Sequence, residues 1–408
     1  MSQNKLTTAL VAVGVVSLAS AARAEEKLSA LQTAVSSTTL SGYVDTSMQW
    51  NFGTGNANNP PYSFGGASKA DGFNLNVVQL SLDKPLDESQ WAAGYHVDLW
   101  FGPDANTLGT QSTTAAGAGD LAIRQAYVTL RTPVGNGLDW KIGVFDTVIG
   151  YESLSSPSNP HYTHSYGFTI EPTTHTGLLA SYKVNDAVSL SAGVANTVSP
   201  AINGRSSSPY TGGVNTPESY KAYMAAIALT APNSWGSLSG STLYAGFVNG
   251  FNAGFNDSTF GARTLNFYSG VTASTPVSGL KVGASVDYLE AHDGENPVIN
   301  DAGDGTTWAW ALYTSYQATE KLSLNLRGEY VSLNSNALDG SSDITALEKN
   351  GLEAITATAQ YDLWKNVISR LEFRWDHVEH GQAFGGEVAG TPNRNNAYML
   401  AANVIYKF

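Results

Sequence analysis

The stretch 367–376, VISRLEFRWD, constrains this chain more than any motif in it. Val367, Ser369, Leu371, Phe373 and Trp375 share one parity; Ile368, Arg370, Glu372, Arg374 and Asp376 share the other. Alternation of period two marks an extended strand whose side chains point to opposite faces. Four charges in mid-strand, opposite a nearly pure apolar face, do not suit a water-soluble sandwich, which would turn its apolar face inward and decorate the other freely. They suit a wall with a wet, polar inside and an apolar outside.

The same theme recurs along the chain: about ten residues of alternation, then a break. It predicts strands at 40–52, 73–83, 91–101, 121–132, 138–149, 175–184, 188–196, 219–229, 241–251, 264–273, 280–289, 307–316, 322–331, 352–361, 367–377 and 396–408. The breaks alternate in length. KPLDESQ, PVGNG, VND, STPVSG, QATEK and DLWKN are short, and APNSWGSLSG is somewhat longer, whereas every other link is long and rich in Gly, Asn, Ser, Asp and Pro. A sandwich or propeller has no reason to sort its links by parity. The expected fold is therefore all-β: a transmembrane antiparallel up-and-down β-barrel of sixteen strands, with short periplasmic turns and long extracellular loops.

The ends agree with that setting. Lys5, the apolar run LTTALVAVGVVSL and Ala22-Arg23-Ala24 read as a secretory signal peptide over 1–24. Residues 25–39 read as a short periplasmic leader and 40–408 as the barrel. No later apolar run approaches the length of a membrane helix. An exported chain with 0 cysteines is no disulfide scaffold. A formal charge of -13 argues against nucleic acid as a partner. The final stretch, YMLAANVIYKF, alternates to its last residue, which suits a strand that must pair its backbone fully and close onto the first. A terminal Phe408 on such a strand resembles the signal by which the barrel-assembly machinery takes up outer-membrane proteins. Aromatics gather at strand ends, with Trp91, Trp140, Tyr361, Trp364, Tyr406 and Phe408 at one end and Trp50, Phe52, Phe101, Tyr288, Trp308 and Trp375 at the other. Two such girdles fit the two interfaces of a bilayer and imply outer-membrane lipid and lipopolysaccharide as partners.

SGYVDTSMQWNF, FNLNVVQLSLDKP, RQAYVTLRTPVGNGLDWKIG and VIGYES…SNPHYTHSYGF…THTGLLASYKVND together resemble the OmpL-like β-barrel porin family over about residues 40–185. The resemblance implies an outer-membrane, porin-like barrel and brings no substrate, cofactor or catalytic residue with it.

Two constellations are candidates for the working parts. The loop YESLSSPSNPHYTHSYGFTIEPTTH carries Glu152, His161, His164, Glu171 and His175. It reads as a constriction loop folded into the pore, as an extracellular loop packed on its own aromatics and prolines, or, on the loose His161-x-x-His164 spacing, as a metal site lacking a fixed third ligand. The second constellation is the polar parity of the strands: Asp45, His96, Asp98, Arg131, Lys141, Lys281, Asp287, Arg327, Glu329, Arg370, Glu372, Arg374 and Asp376. As pore-lining residues they either cross-brace the lumen in ion pairs or set up a transverse field, with Arg327, Arg370 and Arg374 as a basic stripe. Glu290, Asp293, Glu295, Asp301 and Asp304 crowd one loop, short of the ligand run of a calcium loop. Ser165 beside His164 lacks any G-x-S-x-G, H-E-x-x-H or P-loop context, so no enzyme and no cofactor are expected. The expected function is passive diffusion of small hydrophilic solutes. The alternatives are a selective sugar or oligosaccharide channel, with Tyr43, Trp100 and Tyr127 as an aromatic track, and a plugged structural or adhesive barrel. A homotrimer stands among the candidate assemblies.

Overall fold

The structure, a computed structural model, describes residues 37–110, 119–206, 220–252, 263–292, 305–334 and 351–408. The expected signal peptide, most of the leader and the acidic stretch 293–304 lie outside them.

Sixteen strands form: β1 (Thr39–Asn51), β2 (Gly72–Lys84), β3 (Ala92–Phe101), β4 (Leu121–Thr132), β5 (Leu138–Asp146), β6 (Thr174–Asn185), β7 (Val188–Ala195), β8 (Ala222–Thr230), β9 (Thr242–Phe251), β10 (Arg263–Ser274), β11 (Leu280–His292), β12 (Gly305–Gln317), β13 (Leu322–Asn334), β14 (Gly351–Trp364), β15 (Val367–Val378) and β16 (Asn396–Lys407). Each pairs antiparallel with its sequence neighbours, and β1 pairs with β16 to close the barrel. Closure runs from Tyr43 opposite Lys407 to Asn51 opposite Met399. Just beyond that ladder, Gly42 and Phe408 exchange both backbone hydrogen bonds at 3.0 Å. A closed ladder leaves no edge, as a structure without surrounding water requires. The predicted parity of the links holds, from the turn 365–366 to the loop 147–173, except that the link 231–241 is as long as 252–262. The tight 365–366 hairpin needs a left-handed residue and has Asn366, with φ of 72°, a residue whose short polar side chain tolerates that region.

Burial is inverted relative to a soluble protein. Arg327, Glu372 and Arg374 are 0% exposed, whereas Leu312 is 69% and Leu371 55% exposed. An apolar outer band this extensive would be costly in water and is matched only by hydrocarbon. Trp50 and Trp308 at the long-loop end and Trp91 and Trp364 at the short-turn end stand exposed on that outer surface.

The inside is largely packed. Two short helices, α1 (Pro103–Thr107) and α2 (Tyr166–Ile170), sit in loops that enter it. One apolar cluster joins Tyr62, Tyr166 and Ile170 to the inner faces of β11–β15; another joins Val148 and Ile149 to β6–β10; a third joins Leu154 and Phe168 to Tyr43, Val77 and Trp100. Strand β5 ends at Asp146, earlier than its alternation predicts, because Val148 and Ile149 turn into the second cluster.

Candidate functional site

The loop 147–173 crosses the barrel and is held to the inner face of β13–β15 by buried charge. Arg327 donates from Nε to Glu329 at 2.7 Å and from Nη1 to Glu152 Oε1 at 2.9 Å and to the Thr163 carbonyl at 2.8 Å. Its other terminal nitrogen donates to the His164 carbonyl at 3.1 Å. Arg374 donates to that same carbonyl at 2.8 Å and to Asp376 at 2.9 Å, with its guanidinium 4.1 Å from the centroid of the Tyr62 ring. Glu372 accepts from the backbone N–H groups of Tyr162 and Thr163 at 2.6 and 2.9 Å. Glu329 accepts from Tyr166 N at 2.7 Å, and Asp376 from Tyr166 Oη at 2.7 Å. Arg370 donates to the Ser156 carbonyl at 3.0 Å and also to that of Asn159. Charge-assisted bonds to backbone groups fix the path of a loop and not merely the position of a side chain.

Loop residues complete the clamp. Glu152 Oε2 takes His164 Nδ1 at 3.1 Å and Ser165 N at 3.0 Å. Burial opposes its charge, but Arg327 and His164 outweigh burial and hold the carboxyl well below its usual range. His161 bonds Thr358 Oγ1 at 2.7 Å; burial first, and then Arg327, push its pKa well below the ordinary value, so the ring is neutral. His161 and His164 thus face separate partners and do not converge. Ser165 caps α2, accepting from Phe168 N at 3.1 Å, which is a structural duty. Glu171 meets Asp287 of β11; burial first, and then that neighbouring carboxyl, raise Glu171 well above its usual range.

A second network lines β2–β5. Asp98 accepts from Ser81 at 2.6 Å, from Arg124 at 2.8 Å and from Gln125 at 3.1 Å, and His96 bridges Asp83 and Asp98 at 2.9 and 3.1 Å. Arg124 also pairs with Asp146. Lys141 sits 4.7 Å from the centroid of the Tyr127 ring. Asp45 is buried, accepting from Asn76 at 2.9 Å and Asn403 at 2.6 Å, and Arg131 pairs with Asp139 at 2.6 Å near a periplasmic turn.

Between the loop and the walls of β9–β14 lies a cavity of about 630 Å³, bordered by Tyr151, Glu152, Tyr244, Tyr268, Lys281 and Tyr313 among others. The placement corrects three expectations. Arg327, Arg370 and Arg374 form no open stripe, since the loop's carbonyls cover them; with Glu329, Glu372 and Asp376 they face the loop, and Lys281 is the member of the predicted wall set that borders the cavity. His175 belongs to β6 and not to the loop; its ring is 0% exposed and bonds Thr147 at 3.1 Å. Tyr43 and Trp100 form no aromatic track: they are 3% and 2% exposed, and the Trp100 ring packs on Phe64 and donates to Gln79.

Strict alternation missed Arg124. A register shift between Asp98 and Leu99 makes Arg124 the extra residue of β4, so it and Gln125 both turn inward. Asn76 is the corresponding extra residue opposite Asp45 and Thr46. The signal available beforehand was an arginine on the apolar parity of a strand, a position that lipid would penalise.

A family model described as "Putative beta-barrel porin-2, OmpL-like" matches residues 37–408. No curated protein matches the sequence. Among solved structures, an anion-selective porin from Comamonas acidovorans aligns with a TM-score of 0.59 at 13% identity, covering 91% of this chain and 99% of that one. The outer membrane channel DcaP of Acinetobacter baumannii aligns at 0.56 and 15% identity, covering 91% and 97%. The trimer form of OmpT, an outer membrane protein of Vibrio cholerae, aligns at 0.53 and 13% identity, covering 91% and 99%. At these identities the likeness establishes the fold.

Proposed function

This chain belongs to the OmpL-like β-barrel porin family and is an outer-membrane, porin-like channel; from that premise we propose that it admits small hydrophilic solutes by passive diffusion, with the loop 147–173 setting the aperture. The observation that carries the reading is the division of the lumen. One side of the loop is clamped by buried Arg–carboxylate bonds, and the other leaves a cavity of about 630 Å³ lined by tyrosine rings and polar side chains. A plug would need no such cavity, and an unfiltered pore would need no such clamp. Rigid constrictions of this kind select by size and by the groups lining them.

The test is swelling of proteoliposomes in neutral solutes of graded size. Swelling rates that fall steeply with solute size support a loop-set aperture, and absence of swelling with folded protein refutes diffusion. We also propose a homotrimer, in keeping with the trimer form of one structural neighbour; crosslinking in detergent that yields only monomer would refute it. Contact with lipopolysaccharide at the long-loop rim and delivery by the barrel-assembly machinery complete the set of proposed partners.

A further inference from the structure

The cavity beside the loop is unusual in what lines it. Four tyrosines border it, and Tyr151 and Tyr313 stack with centroids 4.1 Å apart and planes 16° apart. The wall is cleared to receive them: a Cβ on Gly270 would collide with Tyr268 Oη and crowd the Tyr151 ring, and a Cβ on Gly283 would collide with Tyr151 Oη. Tyr151 and Tyr244 spend their hydroxyls on protein partners, Thr272 at 3.0 Å and the Val148 carbonyl at 2.8 Å. Ring surface is therefore what these two offer to a solute.

The remaining lining is polar and nearly free of charge. Ser315, Ser323 and Asn325 border the cavity, and Asn325, 6% exposed, has an Oδ1 with no hydrogen-bond partner. The two charged residues on the lining are Glu152 and Lys281. Glu152 is already spent on Arg327 and His164, which leaves Lys281 as the remaining charge among the described lining residues.

Such a surface filters ions poorly. It matches a solute with polarised C–H faces, which the negative faces of aromatic rings attract, and a rim of hydroxyls for the amides and serines. We propose that this cavity is a weak binding subsite for neutral saccharides of one or two rings. The volume lies within the range of small-ligand pockets, about 300–1,000 Å³. Affinity is on the order of millimolar, since a conducting site must release what it binds. The inference rests on the channel reading above and names the solute class of that same lumen.

The experiment records current through the reconstituted full-length protein in KCl while maltose, or a polyethylene glycol of matched hydrated size, is added. The expected result is a saturable reduction by maltose that exceeds the reduction by the polymer. Tyr244→Ala, and independently Gly283→Ala, which displaces the Tyr151 ring, weaken the maltose half-effect by about fivefold. Each is scored against its own open-channel current. Equal block by maltose and polymer, or block unaltered in both variants, overturns the subsite and leaves the channel reading standing. No current in the unmodified protein overturns the channel reading, and the subsite with it.

Discussion

Replacing Glu372 by Gln exchanges one oxygen for an NH2 group and should free the loop from the wall. Glu372 is 0% exposed, so water screens none of its interactions. Oε2 accepts from Tyr162 N at 2.6 Å and Thr358 Oγ1 at 2.7 Å; Oε1 accepts from Thr163 N at 2.9 Å and Thr163 Oγ1 at 2.6 Å. Whichever oxygen becomes the amide nitrogen loses its backbone donor and sets an N–H against that N–H, while the threonine hydroxyl can turn to accept. A hydrogen bond to a charged group contributes about 1.5–3 kcal/mol, so the loss is at least about 1.5 kcal/mol. Even that figure raises the released population roughly tenfold. The barrel should persist, because the ladders joining β14, β15 and β16 involve no side chains. Single-channel recording should show intermittent excursions to a larger conductance, and liposome swelling should extend to larger solutes. A folded, heat-modifiable variant with wild-type conductance, noise and size limit would refute the idea that this carboxylate holds the aperture.

Other consequences follow from the same geometry. Lys281→Gln should shift the reversal potential toward cations more than Arg370→Gln does, measured at about 0.1 M salt, because each removes one charge but Lys281 borders the cavity and Arg370 lies under the loop. A larger shift from Arg370→Gln would place the filter elsewhere. The depressed pKa of His161 means that the released loop takes up a proton which the docked loop refuses. The His161 contribution to docking is therefore fully present above the ordinary histidine value, about 6.5, and is lost below it at up to about 1.4 kcal/mol per pH unit. Gating noise at pH 5 should exceed that at pH 7.5 by more in the wild type than in His161→Gln; equal differences would remove His161 from the linkage. Deleting Phe408 should lower the assembled barrel in the outer membrane and raise periplasmic degradation, since its backbone pairs with Gly42 and its ring lies over that glycine. Undiminished heat-modifiable barrel on a gel would remove that role from Phe408.

The barrel was legible because hydrocarbon punishes any error of parity. Leu371 and Phe373 face lipid while Arg370, Glu372 and Arg374 face inward, so period two alone reads strand, face and environment. The same rule failed at Arg124, where one extra residue in β4 reverses the parity without altering the composition around it. The site was legible in its parts and not in its pairing. Glu152 was readable as a loop carboxylate and Arg327 as a wall charge, yet their bond spans 175 positions of sequence. Nothing local joins them. The acceptors that cover Arg370 and Arg374 are backbone carbonyls of Ser156, Asn159 and His164, which every residue possesses and no residue type announces. Bracing ion pairs and an open stripe therefore read alike for these arginines, which are anchors of the loop. Tyr151 and Tyr313 were unreadable for a related reason, because their stack depends on space left at Gly270 and Gly283 on other strands.

If water and small solutes pass beside the loop clamped across the barrel, the purified, heat-modifiable protein held at steady voltage in a planar bilayer gives discrete, ohmic conductance steps of uniform size. Repeated insertion of folded barrels with no steps would mean instead that the clamped loop closes the lumen.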